Sequence, residues 1–202
     1  MTSRGSFSVL VVQDHKENRK KCTLTPLAGR PGISFVRQSP SPRGSQTVPV
    51  SRGILLLLDA PCLSPEDVRF LEDGGPLVLV DATWARVPRV LERMAVTDPV
   101  RVATRSLPPG IATAYPRTSK LYKDPSAGLA SIEALFAASV ILGHPRHDWL
   151  AGYRWADEFR RRNDWLPAED GWGGSGDSQK AVDSYGSHGY GSPPERLRYV
   201  HR

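Results

Sequence analysis

The sequence predicts an α/β protein built around a largely parallel β-sheet. Two continuous apolar runs, ILLLLD (54–59) and PLVLVD (76–81), each end at an aspartate. Runs this short and this apolar are typical of strands that are buried on both faces of a parallel sheet. A helical pattern follows each run, at 63–75 and at 87–94. Strands that alternate with helices in this way favour an α/β fold.

The N-terminal third predicts a small α+β region. FSVLVVQD (7–14) has the β-branched content of a strand, and a short apolar stretch follows at 33–36. Residues 37–53 contain proline, serine and glycine throughout, which is typical of a mobile loop or linker. We therefore expect a basic N-terminal region at 1–52 and a second domain at 53–167.

The helix predicted at 63–75 has recognisable start and stop signals. Ser64 is placed to cap its N-terminus, Pro65 lies in the first turn, and Gly74 ends the pattern. The run at 76–81 is the next predicted strand.

The second half predicts one more strand, two helices and a tail. The strand is expected around 100–104 and is followed by a proline-rich loop at 105–120. An apolar helix is predicted at 131–143 and an amphipathic helix at 148–166. Residues 168–202 are rich in glycine and serine and are predicted to be a disordered tail.

Composition excludes several classes of protein. The two cysteines do not make a disulfide framework, which favours a reducing, cytoplasmic location. No run is long enough to cross a membrane, so we expect no membrane partner. His15, His144 and His147 have no metal-ligand spacing, so no metal is predicted. The glycine-rich phosphate loops and the G-x-S-x-G nucleophile motif do not occur in the sequence.

Basic residues are concentrated at the N-terminal end of the chain. The net charge of the whole protein is +6, whereas residues 1–52 contain nine Lys or Arg against Asp14 and Glu17, a local charge of +7. This concentration is compatible with a nucleic-acid partner, and equally with a solvated surface. Cys22 lies among Lys20, Lys21 and Arg30, a setting that can lower the pKa of a thiol, but we favour a structural or RNA-proximal role for it.

The carboxyl ends of the predicted strands form the candidate binding site, because ligands of open α/β sheets bind in the crevice beyond those ends. Asp59 and Asp81 follow the two apolar runs, and Trp84 comes shortly after. Each has an ordinary structural explanation, helix capping for an aspartate and core packing for a tryptophan. The stiff, apolar loop at 105–116 adds a reason to expect a slot for a flat heterocycle such as adenine.

Five segments resemble one known family, the small-subunit ribosomal RNA aminocarboxypropyltransferases. They are DHKENRKKCTLTPLAGRPG (14–32), LDAPCLSPEDV (58–68), VDATW (80–84), RSLPPGIATAYP (105–116) and GLASIEALFAASVILG (128–143). The similarity spans about residues 7–166, and the Asp-x-x-Trp and Arg-x-Leu-Pro pieces in order are its most specific part. Tyr115 and Ala130 depart from the family's asparagine and serine at those positions.

The resemblance implies a SPOUT-like parallel sheet with a trefoil knot in its C-terminal half, and S-adenosylmethionine as cofactor. It implies transfer of the 3-amino-3-carboxypropyl (acp) arm of that cofactor to a ring nitrogen of a uridine or pseudouridine in ribosomal RNA or a small-subunit precursor. The family also implies a monomer. Two alternatives stay open: a SPOUT-type RNA methyltransferase, and a non-catalytic RNA-binding assembly factor.

The resemblance also assigns roles to residues of this sequence. Asp81 is expected to face the reacting arm, as an attracting charge or as a proton acceptor. The other expected cofactor contacts are Thr23, Leu58, Pro61, Val80, Trp84, Leu107, Ile111, Ala112, Thr113, Ala130 and Ser131. The expected RNA phosphate contacts are Lys20, Lys21, Arg30, Arg37, Arg86, Arg89 and Arg117.

Overall fold

The computed structural model of the chain describes residues 8–39, 47–116, 125 and 128–166, together with the backbone of Arg198–Tyr199. The strands are β1 (Val9–Gln13), β2 (Ile33–Arg37), β3 (Val48–Val50), β4 (Gly53–Leu56), β5 (Leu77–Asp81), β6 (Met94–Val96), β7 (Val102–Arg105) and β8 (Arg198–Tyr199). The α-helices are α1 (Arg69–Glu72), α2 (Val87–Leu91), α3 (Ser131–Ile141) and α4 (Ala156–Arg162). Short 3-10 helices lie at Thr25–Leu27, Pro65–Val68, Trp84–Arg86 and His147–Leu150.

The main sheet has five strands in the order β2-β1-β5-β4-β7, and all of its pairs are parallel. The register places Val9 opposite both Ile33 and Leu77, and it places Gln13 opposite Asp81. Parallel pairing brings the carboxyl ends of these strands to one edge of the sheet. The predicted α/β architecture with a largely parallel sheet is therefore confirmed.

Helices and loops cover both faces of the sheet, as the continuous apolar runs predict. Helix α3 is apolar almost all round, and Leu135 and Phe136 lie in one core with Leu77 from β5. The other face of β5 contributes Val78 to a second core that contains Met94. Because successive side chains of a strand point to opposite faces, a strand between two cores needs apolar residues at nearly every position.

Start and stop signals around α1 act as the sequence predicts. The backbone N–H of Ser64 donates to a carboxylate oxygen of Asp67 at 3.0 Å, and Pro65 begins the first turn. Gly74 has a φ of 75°, a left-handed conformation that glycine adopts without a steric penalty, and it follows the end of the helix.

Three predicted elements need correction. The helix predicted at 87–94 ends at Leu91, because Met94 begins β6, which pairs with β3. The loop predicted at 37–53 contains β3, an edge strand whose Pro49 is tolerated because the edge of a sheet does not need every N–H. The single helix predicted at 148–166 is a 3-10 turn and α4, separated by irregular backbone.

The N-terminal segment and the cofactor domain predicted from the sequence share one sheet. Strands β1 and β2 come from 1–52, yet β1 lies between β2 and β5 and forms a continuous ladder with both. The boundary at 52/53, and with it the domain assignment, stays a prediction, as does the trefoil knot.

A second, three-stranded sheet has the order β3-β6-β8. Strand β8 falls inside the tail at 168–202, where the sequence predicts disorder. That prediction does not hold for these two residues, because a strand that pairs with an existing edge needs no core of its own. The rest of the tail lies outside the described residues.

Candidate functional site at the carboxyl edge of the sheet

Asp81 ends β5 in a buried position where three side chains donate hydrogen bonds to its carboxylate. Only 4% of the residue is exposed. Gln13 Nε2 and Cys22 Sγ donate to Oδ2 at 2.8 and 3.1 Å, and Ser131 Oγ donates to Oδ1 at 2.7 Å. These donors come from β1, from the loop after β1 and from the start of α3. The carboxylate therefore joins three parts of the chain at one point.

Cys22 is a structural partner of this carboxylate. Burial, followed by the adjacent negative charge of Asp81, raises the pKa of the Cys22 thiol to about 12. The expectation that Lys20 and Lys21 lower the pKa of this thiol is therefore wrong, because both lysines are exposed and their charges are screened by water. The thiol stays protonated near neutral pH, as a hydrogen-bond donor must.

Thr23 packs against the start of α3, beside the hydrogen bonds around Asp81. Its hydroxyl oxygen accepts a hydrogen bond from the backbone N–H of Ile132 at 3.3 Å. Ala130 and Ser131 are the residues immediately before, and Ser131 contacts Asp81. The structure thus brings four of the expected cofactor contacts together, namely Thr23, Asp81, Ala130 and Ser131.

Trp84 follows β5 and packs against the chain that leads into α3. Its indole is half-buried. A Cβ atom built on Gly128 would lie 2.9 Å from Nε1 of this indole and 3.1 Å from its Cε2 atom. Such distances are too short for any side chain other than glycine's hydrogen, so Gly128 is what allows the close approach.

The loops after β4 and β7 supply further apolar side chains at this edge. The backbone N–H of Ser106 donates to the carbonyl of Pro61 at 2.8 Å, and the Ser106 hydroxyl donates to the carbonyl of Ala60 at 2.8 Å. Leu58 is 40% exposed, and Leu107 is half-buried. Because β4 lies between β5 and β7, these side chains extend the edge that begins at Asp81. Val80, one residue earlier, is half-buried.

Asp59 does not join the site. Its side chain is exposed at the end of the β4 run. The Asp59 and Asp81 positions look equivalent in the sequence, but only the second has donors around it.

Glu133 is a buried carboxylate for which the sequence patterns predict no role. It is fully buried in α3 and accepts four hydrogen bonds. Oε2 accepts from the Thr113 hydroxyl at 2.6 Å and from the Ala130 N–H at 2.9 Å. Oε1 accepts from the Ala114 N–H at 2.9 Å and from the Tyr153 hydroxyl at 2.8 Å. This carboxylate fixes the loop at 111–116 onto α3.

A sequence signal for Glu133 does exist. It is the single charged residue of α3, and glutamate is almost never fully buried without hydrogen-bond partners. Burial, together with the neighbouring Glu133 carboxylate, raises the pKa of the Tyr153 hydroxyl well above its ordinary value. Tyr153 is therefore a permanent donor in this network.

Asn163 holds the same loop from the other side. Its side-chain amide accepts from the N–H of Ala112 at 2.8 Å and donates to the carbonyl of Ala112 at 2.9 Å. Arg162 donates to the carbonyl of Thr113 at 2.6 Å. The sequence places Asn163 on the apolar stripe of the last helix, and the structure explains this position, because the amide is completely buried.

Three of the expected RNA contacts already have protein partners. Arg86 forms a bidentate ion pair with Asp14, in which the distance from Arg86 Nη2 to Asp14 Oδ1 is 2.9 Å. Arg30 pairs with Asp148 at 3.2 Å. Arg37 donates to two backbone carbonyls of the loop after β1. These arginines therefore anchor the basic loop.

The remaining expected RNA contacts differ in accessibility. Lys20, Lys21 and Arg89 are exposed, and no ion pair ties their side chains within the described residues. Arg117 lies outside the described residues.

Neither a metal centre nor a membrane span occurs in the part of the chain that the structure describes. No group of three or more His, Cys, Asp or Glu side chains there has the arrangement of a metal site. No described helix has both the length and the apolar character that crossing a bilayer requires.

Comparison with known proteins identifies the fold. No protein-family model matches the sequence, and a search of curated proteins gives no match. Among solved structures, the chain is similar to the SAM-dependent rRNA:acp-transferase Tsr3 from Vulcanisaeta distributa, with a TM-score of 0.57. The two chains are 23% identical, and the match covers 79% of this chain and 80% of that one. The chain has the Tsr3 fold.

Proposed function

We propose that the protein binds S-adenosylmethionine at the carboxyl edge of the five-stranded sheet. There it would transfer the acp arm to a ring nitrogen of a uridine or pseudouridine in ribosomal RNA. One observation carries the proposal: the donors around Asp81, the start of α3 and the half-buried Trp84 converge at one edge. The Tsr3 structure, which is described as a SAM-dependent rRNA:acp-transferase, has the same fold.

The side chains at this edge fit the cofactor. Leu58, Pro61, Trp84 and Leu107 follow three adjacent strands and are all partly exposed, as the walls of an adenine slot must be. In the loop at 111–116, the backbone N–H and C=O of Ala112 are both hydrogen-bonded to the side-chain amide of Asn163. The adenine edge would accordingly form hydrogen bonds with the backbone of Ile111 and with the N–H of Thr113. Within the described residues, these backbone groups have no hydrogen-bond partner.

When bound, S-adenosylmethionine supplies a positively charged sulfur that activates each attached carbon toward a nucleophile. The protein then has to select one carbon by orientation. In our proposal Trp84 packs beside the methyl group and keeps it from the RNA. Thr23 and the start of α3 would hold the amino-acid arm. The ring nitrogen would then bond to the arm's methylene carbon as its carbon–sulfur bond breaks, methylthioadenosine would leave, and the proton of the ring nitrogen would pass to solvent.

Asp81 would act in this site through its charge and its position. Both of its oxygens already accept hydrogen bonds, from Gln13, Cys22 and Ser131. Because these bonds hold the carboxylate in place, we assign it to attracting the positively charged arm and aligning α3. The proposal also includes the SPOUT-like knot, a monomeric state and a cytoplasmic site of action.

Calorimetric titration with S-adenosylmethionine tests the binding site. Removing the Trp84 ring by Trp84→Ala is expected to weaken binding by about 10- to 150-fold, which corresponds to ~1.5–3 kcal/mol for an aromatic face. Trp165→Ala is the matched control, because Trp165 is 46% exposed and follows α4 rather than a strand of the sheet. Equal affinities for the Trp84 variant and the unchanged protein would place the slot elsewhere.

The reaction is tested by following two labels of the cofactor. S-adenosylmethionine labelled in its carboxyl group is expected to label ribosomal RNA, with release of methylthioadenosine. Transfer of a methyl label, with release of S-adenosylhomocysteine, would show a methyltransferase. RNA binding without any cofactor binding would show an assembly factor instead.

A further inference from the structure

An open depression of about 390 Å³ lies beside the proposed cofactor site. Thr23 belongs to both, because it lines the depression and its hydroxyl contacts the start of α3. The volume falls within the range of small-molecule sites, about 300–1,000 Å³. Any group bound there would lie next to Thr23, which we propose holds the amino-acid arm of the cofactor.

Aromatic rings form one side of the depression. The ring centroids of Tyr115 and Trp155 are 5.0 Å apart with an interplanar angle of 85°, and those of Tyr153 and Trp155 are 5.7 Å apart at 65°. Edge-to-face contacts of this kind fix the rings without stacking one flat on another. Tyr153 is further held by Glu133, so this side of the depression is rigid.

Positive charge surrounds these rings. Lys20, Lys21 and Arg154 line the depression and are exposed, and none of the described lining residues is acidic. The guanidinium of Arg154 lies 5.7 Å from the Trp155 ring centroid. Hydrogen bonds from the backbone N–H groups of both lysines to Asn18 fix the turn that carries them.

We propose that this depression binds one uridine nucleotide of the substrate RNA. Because the two rings are nearly perpendicular, its base would stack on the ring face of Trp155 and meet Tyr115 at its edge, while Lys20 and Lys21 bind the flanking phosphates. Aromatic rings beside cations are the pattern by which proteins hold single-stranded RNA, whose bases are free to leave the helix stack. The inference rests on the proposed function, because it makes this nucleotide the acceptor of the acp arm.

Tyr115 joins this site to the proposed cofactor site. It lines the depression and also belongs to the loop at 111–116. Its ring therefore supplies an aromatic contact for the base at the border between the two sites.

The test is fluorescence anisotropy with a labelled uridine-rich single-stranded RNA of about ten nucleotides, a length within the range of known single-strand sites. Trp155→Ala is expected to weaken binding by about 5- to 140-fold, the usual effect of losing one stacking ring. Lys20→Ala combined with Lys21→Ala is expected to lower the slope of log affinity against log salt by about 1.4. Lys16→Ala is the matched control, an exposed lysine of the same basic segment that lies outside the depression.

Calorimetry with S-adenosylmethionine on the same variants separates this inference from the proposed function. Unchanged cofactor affinity together with weakened RNA binding supports the nucleotide site and shows that the variants are folded. RNA binding by both variants that equals that of the Lys16 control overturns the nucleotide site, whatever the cofactor result. Loss of cofactor binding in the unchanged protein contradicts the proposed function alone. The lysine variant retains every core residue, so the test does not depend on whether Trp155→Ala folds.

Discussion

Replacing Glu133 by glutamine exchanges one carboxylate oxygen for an NH₂ group and leaves the shape of the side chain unchanged. The carboxylate accepts two hydrogen bonds at each oxygen, one from a hydroxyl and one from a backbone N–H. An amide has only one oxygen. Its NH₂ group must therefore face either the Ala114 N–H or the Ala130 N–H.

The two donors on that side respond differently. The Thr113 or Tyr153 hydroxyl can rotate and accept a hydrogen bond from the amide, but a backbone N–H cannot. One buried N–H therefore loses its acceptor, at ~1–3 kcal/mol, and the remaining bonds lose the assistance of the negative charge, ~1 kcal/mol each. The lower desolvation cost of a neutral amide offsets part of this loss. We expect Glu133→Gln to lower the free energy of unfolding by ~2–4 kcal/mol, a large part of a typical total.

Urea unfolding followed by circular dichroism measures this change. Glu92→Gln is the matched control, because Glu92 is exposed, and a surface change of this kind is expected to alter stability by no more than ~0.5 kcal/mol. The same pair is titrated with S-adenosylmethionine, since the loop that Glu133 holds includes Ile111 and Thr113. A Glu133→Gln protein as stable as the Glu92 variant would refute the reasoning.

Three further predictions concern other contacts of the site. Asn163→Ala removes the hydrogen-bond partner of both backbone groups of Ala112. The free energy of unfolding, measured in urea, should therefore fall by ~2 kcal/mol. Gly128→Ala places a methyl group 2.9 Å from the Trp84 indole nitrogen and should weaken cofactor binding in calorimetry by about tenfold. Because folding raises the pKa of the Cys22 thiol from its ordinary value of 9.0 to about 12, its contribution to stability is complete below pH 9.0 and is lost as pH rises toward 12. Urea unfolding at about pH 8 and about pH 10.5 should therefore show a smaller alkaline loss for Cys22→Ser than for the unchanged protein.

Each of these predictions has a contradicting result. Equal stability of the Asn163 variant would mean that water replaces the amide at the loop. Unchanged cofactor affinity of the Gly128 variant would separate the indole from the binding slot. An identical alkaline loss with and without Cys22 would assign the pH dependence to other groups.

The sheet and the position of Asp81 and Trp84 at its carboxyl edge were predictable because both depend on local patterns. Continuous apolar runs identify strands that are buried on both faces, and parallel strands bring their carboxyl ends to one edge. Asp81 and Trp84 follow such a run, so their position at that edge required no knowledge of distant contacts. The same rule also selected Asp59, which is exposed, because the pattern does not show which edge residues have donors nearby.

Long-range partners were beyond these patterns. Glu133 binds groups 19 and 20 residues before it, and Asn163 binds a residue 51 positions away. The hydrophobic periods of two and 3.6 residues, which identify strands and helices, give no information about contacts at such separations in sequence. The number of basic residues, similarly, did not show that the side chains of Arg30, Arg37 and Arg86 have protein partners, whereas those of Lys20 and Lys21 form no ion pair within the described residues.

Short strands were also difficult to predict. Strand β3 has three residues and a central proline, a combination typical of a loop, and only its pairing with β6 reveals it. The early end of α2 was missed for the same reason, namely strand pairing in the second sheet. Met94 continues the helical pattern of the sequence, but pairing in the second sheet takes precedence over that local preference.

The most direct test of the central claim is mass spectrometry of nucleosides from ribosomal RNA of cells with and without this gene. The proposal predicts a uridine derivative carrying the acp group in the first sample. That derivative should be absent from the second and should return with the unchanged gene, but not with one encoding Trp84→Ala. An identical set of modified nucleosides in both samples, or the loss of a methylated nucleoside alone, would contradict acp transfer by this protein.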